Sequence, residues 1–252
     1  MKPAMHSFVE LWVYLSATPL FGLTATLAVY VAAQAFYSRL QHAPWANPVL
    51  WTVTLLAGLL AATGTAYPSY FAGAQFIHFL LGPAVVALAW PMWQRRTELR
   101  LRWRALGLAA LVGGAAAAGS AVLIGWAFSL PPEVLASLAP KSVTAPVAMG
   151  IAEQLGGIPA LAAVLAVLTG LVGAVCAKPL FDLLRIHRLD VRGFAIGTAS
   201  HGIGAARALQ VHPAAGAYAA LALGLQVVLG ALLLPLAYPA LLPLLLSVTP
   251  KH

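Results

Sequence analysis

Six long stretches of this sequence run almost without charge: 8–37, 47–64, 69–93, 104–128, 158–181 and 213–246. A helix that crosses the hydrocarbon of a bilayer needs about 20 mostly apolar residues, so each stretch is a candidate crossing. Two further segments, 131–157 and 191–210, are apolar but interrupted. The short connections carry most of the charge, as in a polytopic helical protein. The chain holds only 14 basic and 6 acidic residues in 252 and is 62% hydrophobic. A soluble domain is about 25% charged and about 45–50% apolar. A soluble globular domain, a disordered chain and a nucleic-acid binder are therefore excluded.

The net charge of +8 sits in short loops, where it reports topology. The loop 94–104 holds Arg95, Arg96, Arg100, Arg102 and Arg104, and the loop 182–192 holds Arg185, Arg188 and Arg192. The positive-inside rule makes both cytoplasmic. Arg39 and His42 place the 38–47 loop on the same side, with the N-terminus outside. Glu10 stands where a signal peptide would need its apolar core, so the first run is expected to remain in the mature protein.

Both basic loops on one side require an even number of crossings between them. The runs 104–128 and 158–181 supply two, so 131–157 adds none. Its halves, PPEVLASLA and PVAMGIAEQLGG, reach only roughly 14–18 Å as helices, too short for a core of about 30 Å. The preferred reading is a re-entrant hairpin entering from outside with PKSVTAP at its tip. The alternative is a pair of interfacial helices. A weak repeat at an offset of 60 pairs Leu101, Leu108, Leu111, Val112 and Gly113 with Leu161, Leu168, Leu171, Val172 and Gly173. The two copies run in opposite directions, as in inverted-repeat transporters. The expected fold is all-α: one integral membrane domain over 1–252 of about seven to eight segments, with half-repeats 1–128 and 129–252.

Polar chemistry inside a membrane is costly and marks function by default. It concentrates in the two interrupted segments. In 139–157, Lys141, Ser142 and Thr144 lie between Pro140 and Pro146, and Pro146 suits the first turn of the returning helix. That helix end attracts anions. Glu153 follows two turns later, as a coupling group or a solvated loop residue. In 192–209, Gly193, Gly197, Gly202 and Gly204 weaken the helix among Thr198, Ser200, His201 and Arg207. Arg207 can clamp a carboxylate, and His201 can titrate near neutral pH or serve as an interhelical donor. In 74–91, Gly82 and Pro83 interrupt the helix one turn after His78. With Gly197 and Gly202 they mark broken helices in the two halves.

No P-loop, Cys/His metal spacing, haem pair or Ser/His/Asp set is present, so no enzyme, metal or cofactor is expected. Cys176 is the single cysteine, which excludes an internal disulfide.

The strings LGPAVVALA (81–89), APKSVTAPVAMGIAEQLGGIPAL (139–161), LTGLVGAV (168–175) and RGFAIGTASHGIGAARAL (192–209) resemble the LrgB/CidB family of bacterial membrane proteins. That family includes antiholin-like proteins linked to murein hydrolase control and lysis, and carriers of small monocarboxylates such as pyruvate. A plant plastid relative moves glycolate and glycerate. The resemblance implies a bacterial inner-membrane protein working beside a smaller LrgA/CidA-type partner, and it leaves room for a homo-oligomer. It carries over Lys141, Ser142, Thr144, Pro146, Ser200, His201, Gly204 and Arg207 as substrate-binding positions, with Gly82 and Pro83. The chain departs from the family pattern at Val85, Ala145, Gly202 and Ala205. Three hydroxyls are thereby lost, and the basic groups are kept. The expected function is secondary transport of small monocarboxylates such as pyruvate, glycolate or acetate. The alternative is antiholin-like regulation of a holin-type partner.

Overall fold

A computed structural model of the chain describes residues 19–41, 43–80, 83, 86–87 and 89–248. Every regular element among them is helical, and the chain forms two compact units, residues 1–87 and 88–252.

The first unit holds α1 (Pro19–Arg39), α2 (Pro48–Thr63) and α3 (Tyr67–Phe79). Asn47 starts α2 by accepting from the backbone N–H groups of Val49 and Leu50 at 2.9 and 3.3 Å, with Pro48 at the first helical position. Gly64 ends it in the left-handed conformation, φ 63°. Gly22 lets α1 approach α3 closely, since a Cβ there would stand 2.0 Å from the Tyr70 carbonyl oxygen. The Thr26 and Tyr70 hydroxyls share a hydrogen bond at 2.7 Å beside it. Within the run 69–93, α3 ends at Phe79, Leu80 is in a turn, and a six-residue helix starts at Ala89. Pro83 is exposed. Gly82 and Val85 lie outside the described residues, as does the side chain of His78.

The second unit contains α4 (Ala89–Gln94), α5 (Arg96–Leu101), α6 (Trp103–Ala127), α7 (Pro132–Leu138), α8 (Ala145–Gln154), α9 (Pro159–Leu183), α10 (Leu189–Val211) and α11 (Pro213–Val248). Among the described residues, α1, α6, α9 and α11 are long and apolar enough to cross a membrane. The protein is thus all-α and polytopic, with at least four spanning helices.

Segment 131–157 is a hairpin. Its arms, α7 and α8, have 7 and 10 residues. The long helix α11 gives its depth. Tyr238 donates to the Pro132 carbonyl at 3.2 Å at the mouth, while Val143 at the tip meets Gly230, eight residues or about 12 Å deeper.

Helix α10 is a second hairpin. His201 is non-helical, at φ 41° and ψ −133°. Gly193 packs on Ala215 and Leu209 packs on Gly216, so residues 193 and 209 lie at one level of α11. A straight helix would separate them by about 24 Å. Gly204 likewise lies against the Ile196 carbonyl, eight residues back in the chain. The outgoing arm runs parallel to α11, with Gly193 on Ala215 and Gly197 on Ala219. The other arm returns to the same end. Both ends of the segment therefore face the basic-loop side. With Cys176 replaced by serine, His187→Cys and His212→Cys are expected to react with an impermeant thiol reagent from that one side. Labelling of position 212 from the opposite side would show an ordinary crossing.

A polar clamp joins the basic loops. Arg102 pairs with Asp190 at 2.8 Å and Arg188 with Asp190 at 2.6 Å. Tyr218 on α11 donates to Glu98 at 2.7 Å, and Arg95 pairs with Glu98 at 3.0 Å. Exposed pairs of this kind contribute little individually. Their value here is geometric, because loops 94–104 and 182–192 and the start of α11 meet at one end. The Tyr218 hydroxyl first, then Arg95 and Arg102, hold the Glu98 carboxyl below its ordinary 4.5. The folded state thus binds this proton less readily than the unfolded chain. The contribution is full above pH 4.5 and disappears as pH falls through the lower folded value. Glu98→Gln should flatten that acid-side loss in a detergent melting series, and an unchanged pH profile would discount the clamp.

Candidate functional site

The two hairpins point toward each other along α11. Ile196 and Ala205 of the 189–211 hairpin pack with Leu223, and Val143 of the other tip meets Gly230. Gln226 lies between these levels. Helix α9 shows the same convergence. Val143, Ala148, Ile151 and Ala152 pack on Ala162 and Ala166, and His201 Nε2–H donates to the Ala166 carbonyl at 2.7 Å.

Glycines on the long helices make the bed for the His201 turn. A Cβ on Gly173 would stand 1.6 Å from Ser200 Oγ, one on Gly170 would stand 2.8 Å from the His201 ring, and one on Gly113 would stand 2.9 Å from the Thr198 methyl. His201 occupies a backbone region that L-residues rarely adopt, at a cost of about 1–3 kcal/mol. Such strain persists where packing over-determines it and clusters at functional sites. The bond from Nε2 fixes the neutral tautomer, leaving Nδ1 as an acceptor.

Three buried hydroxyls in this unit, Ser142 Oγ, Thr198 Oγ1 and Ser200 Oγ, find no hydrogen-bond partner among the described residues. A buried polar group left unpaired costs about 1–3 kcal/mol. All three lie at the hairpin tips, where a polar ligand would satisfy them.

The sequence-derived candidates divide as follows. Ser142 is buried and Lys141 half-buried at the first tip. Thr144 is the half-buried residue preceding α8 and makes no capping bond. Pro146 sits in the first turn of α8 and is exposed, as is Glu153 near its end. Ser200 and His201 form the second tip, with Gly204 packed behind them on Ile196 and Ser200. Arg207 is buried on the returning arm, 9% exposed. The break falls at His201, between Gly197 and Gly202. Gly197 itself is helical and packs on Ala219, while Gly202 has open space around it.

Two features escaped the sequence reading. Gln226 is 4% exposed and donates from Nε2 to the Ala110 carbonyl at 2.7 Å. Its signal was available, as the one amide in the run 213–246. Gly113 and Gly173 were read only as repeat residues and Gly170 only as part of the string 168–175, and their contact with a hairpin tip has no signature in sequence.

The sequence matches the LrgB-like family over residues 26–240, a span that contains both tips. The chain belongs to this family. It is 34% identical over 211 residues to "Uncharacterized protein YxaC" of Bacillus subtilis (strain 168), covering 84% of this chain and 91% of that protein. It is 34% identical to "Uncharacterized protein YwbG" of the same organism, over 77% of this chain and 86% of that one. It is 27% identical to "Holin-like protein CidB" of Staphylococcus aureus (strain N315), over 83% and 91%. No solved structure matches. This LrgB-like chain is a multi-pass protein of the bacterial inner membrane.

Proposed function

We propose that the two hairpins form the site of a secondary transporter, or transporter subunit, for small monocarboxylates such as pyruvate, glycolate or acetate. The observation that carries this reading is their arrangement. Two short helical hairpins run toward each other along α11 and turn on either side of Gln226, with unpartnered buried hydroxyls at both tips. Non-helical backbone at membrane depth is tolerated where protein buries it or it lines a cavity, and interrupted helices near the midplane hold transporter substrates. In this reading Lys141 and Arg207 neutralise the carboxylate, and Ser142, Thr144 and Ser200 hydrogen-bond it. His201 Nδ1 takes a coupling proton. Glu153 is too exposed to be preferred over His201 for that role.

Two elements of like length support an inverted repeat. The 25-residue helices α6 and α9 begin 56 residues apart, at Trp103 and Pro159, and each precedes one hairpin. The repeats would then be 103–154 and 159–211, a division that cuts across the 1–128 and 129–252 halves. The helix starts differ by one turn from the sequence offset of 60. Alternating opening of the two hairpins would expose the site to each side in turn.

Uptake of labelled pyruvate, glycolate and acetate into proteoliposomes, with and without the smaller partner, tests the reading. Uptake above protein-free vesicles is expected. Its absence for all three, in folded protein, would reject transport.

The second reading is regulation of a holin-type partner and, through it, of murein hydrolase activity. The printed name of the CidB relative favours it, and the comparisons back it more directly than they back transport. Its signature is a partner-dependent lysis phenotype that survives loss of Lys141 and Arg207.

A further inference from the structure

A cavity of about 400 Å³ opens beside the first tip, between α6 and α11. Ala110, Leu111, Gly114, Ala115 and Ala118 form one wall, and Leu229, Gly230, Leu233 and Leu234 form another. Two polar side chains, Ser142 and Gln226, also line it. Ser142 is 7% exposed and its hydroxyl has no partner among the described residues, which leaves it for a ligand. Gln226 is held by its bond to the Ala110 carbonyl, with Gly114 leaving room for its Oε1.

The cavity is large for a two- or three-carbon acid. At about 30 Å³ per water-sized unit, acetate or glycolate would leave most of it empty, and the apolar walls offer nothing to a second hydroxyl. We propose that this cavity holds the hydrocarbon body of the substrate, so that the preferred substrates are aliphatic monocarboxylates of roughly six to eight carbons. The carboxylate would sit by Ser142. The proposal rests on the transport reading above and names its substrate class.

The test is competition against labelled acetate uptake in proteoliposomes, corrected by protein-free vesicles, using straight-chain acids from acetate to octanoate and 6-hydroxyhexanoate. Burial of each methylene predicts roughly fourfold tighter inhibition up to hexanoate, and a loss of affinity for the hydroxylated acid. Ala118→Leu and Ala115→Leu each fill the cavity and should bring the ratio of hexanoate to acetate affinity toward one. A flat series in the wild type overturns the proposal and leaves carboxylate transport standing. A slope unchanged in both filled variants also overturns it, since the hydrocarbon would then lie elsewhere. If no carboxylate moves at all, the transport reading and this proposal fall together.

Discussion

Arg207→Ala is expected to cut the proposed monocarboxylate uptake by roughly 10- to 100-fold, the scale set by losing a hydrogen bond to a charged group, about 1.5–3 kcal/mol. A similar effect is expected for Lys141→Ala. Arg207 is buried on the returning arm, and Lys141 stands at the opposing tip. They stand on two separate hairpins, and on the proposed reading each would supply positive charge to a carboxylate that loses its water. Arg207→Lys keeps the charge and loses the planar fork, so it should recover part of the activity. Proteoliposome uptake, normalised to protein recovered as a monodisperse peak, makes the comparison. Normal transport by both alanine variants would remove the anion site from these residues.

Gly197→Leu is expected to destabilise the second unit by about 1–3 kcal/mol or more, the range for overpacking a filled interior. A Cβ at this position would stand 2.3 Å from the Ala219 carbonyl oxygen, and one at Gly193 would stand 2.2 Å from that of Ala215. The obstacle in both cases is backbone, which cannot rotate aside. Gly224 on α11 has nothing within 4 Å, so Gly224→Ala should stay within about 0.5 kcal/mol. Gly173→Ala gives a sharper form of the test, because its clash is with the Ser200 side chain. Ser200→Gly should relieve it, and the double-mutant cycle isolates that contact. Thermal melting in detergent reads the four single variants and the double variant. Equal melting of Gly197→Leu and Gly224→Ala would contradict the close approach of the hairpin to α11.

Much of this architecture was legible because membrane length is a hard constraint. The arms of 131–157 were too short to span, and parity between two arginine-rich loops required a segment with no net crossing. Those two facts left a re-entrant hairpin and a pair of interfacial helices, and the approach of Val143 to Gly230 favours the hairpin. The second hairpin was harder to read. Four glycines in 192–209 announced a weakened helix, but glycine serves both bending and close packing. Here Gly193 and Gly197 serve packing on α11, and the turn falls on His201. Its reversal depends on the glycine bed of α9, remote in sequence. The end at which α11 begins is given by the Tyr218–Glu98 hydrogen bond, which joins it to a basic loop. Gln226 was visible as a lone amide in an apolar run, yet only the approach of two tips gives that position meaning.

The measurement that bears most directly on the central claim is counterflow of labelled acetate in proteoliposomes, comparing wild type with Ser142→Ala/Ser200→Ala. These two hydroxyls are buried, unpartnered and on opposing hairpins. A site shared by both tips predicts counterflow in the wild type and its collapse in the double variant, with melting temperature retained. Equal counterflow in both proteins, or none in a folded wild type, would contradict a carboxylate site between the hairpins.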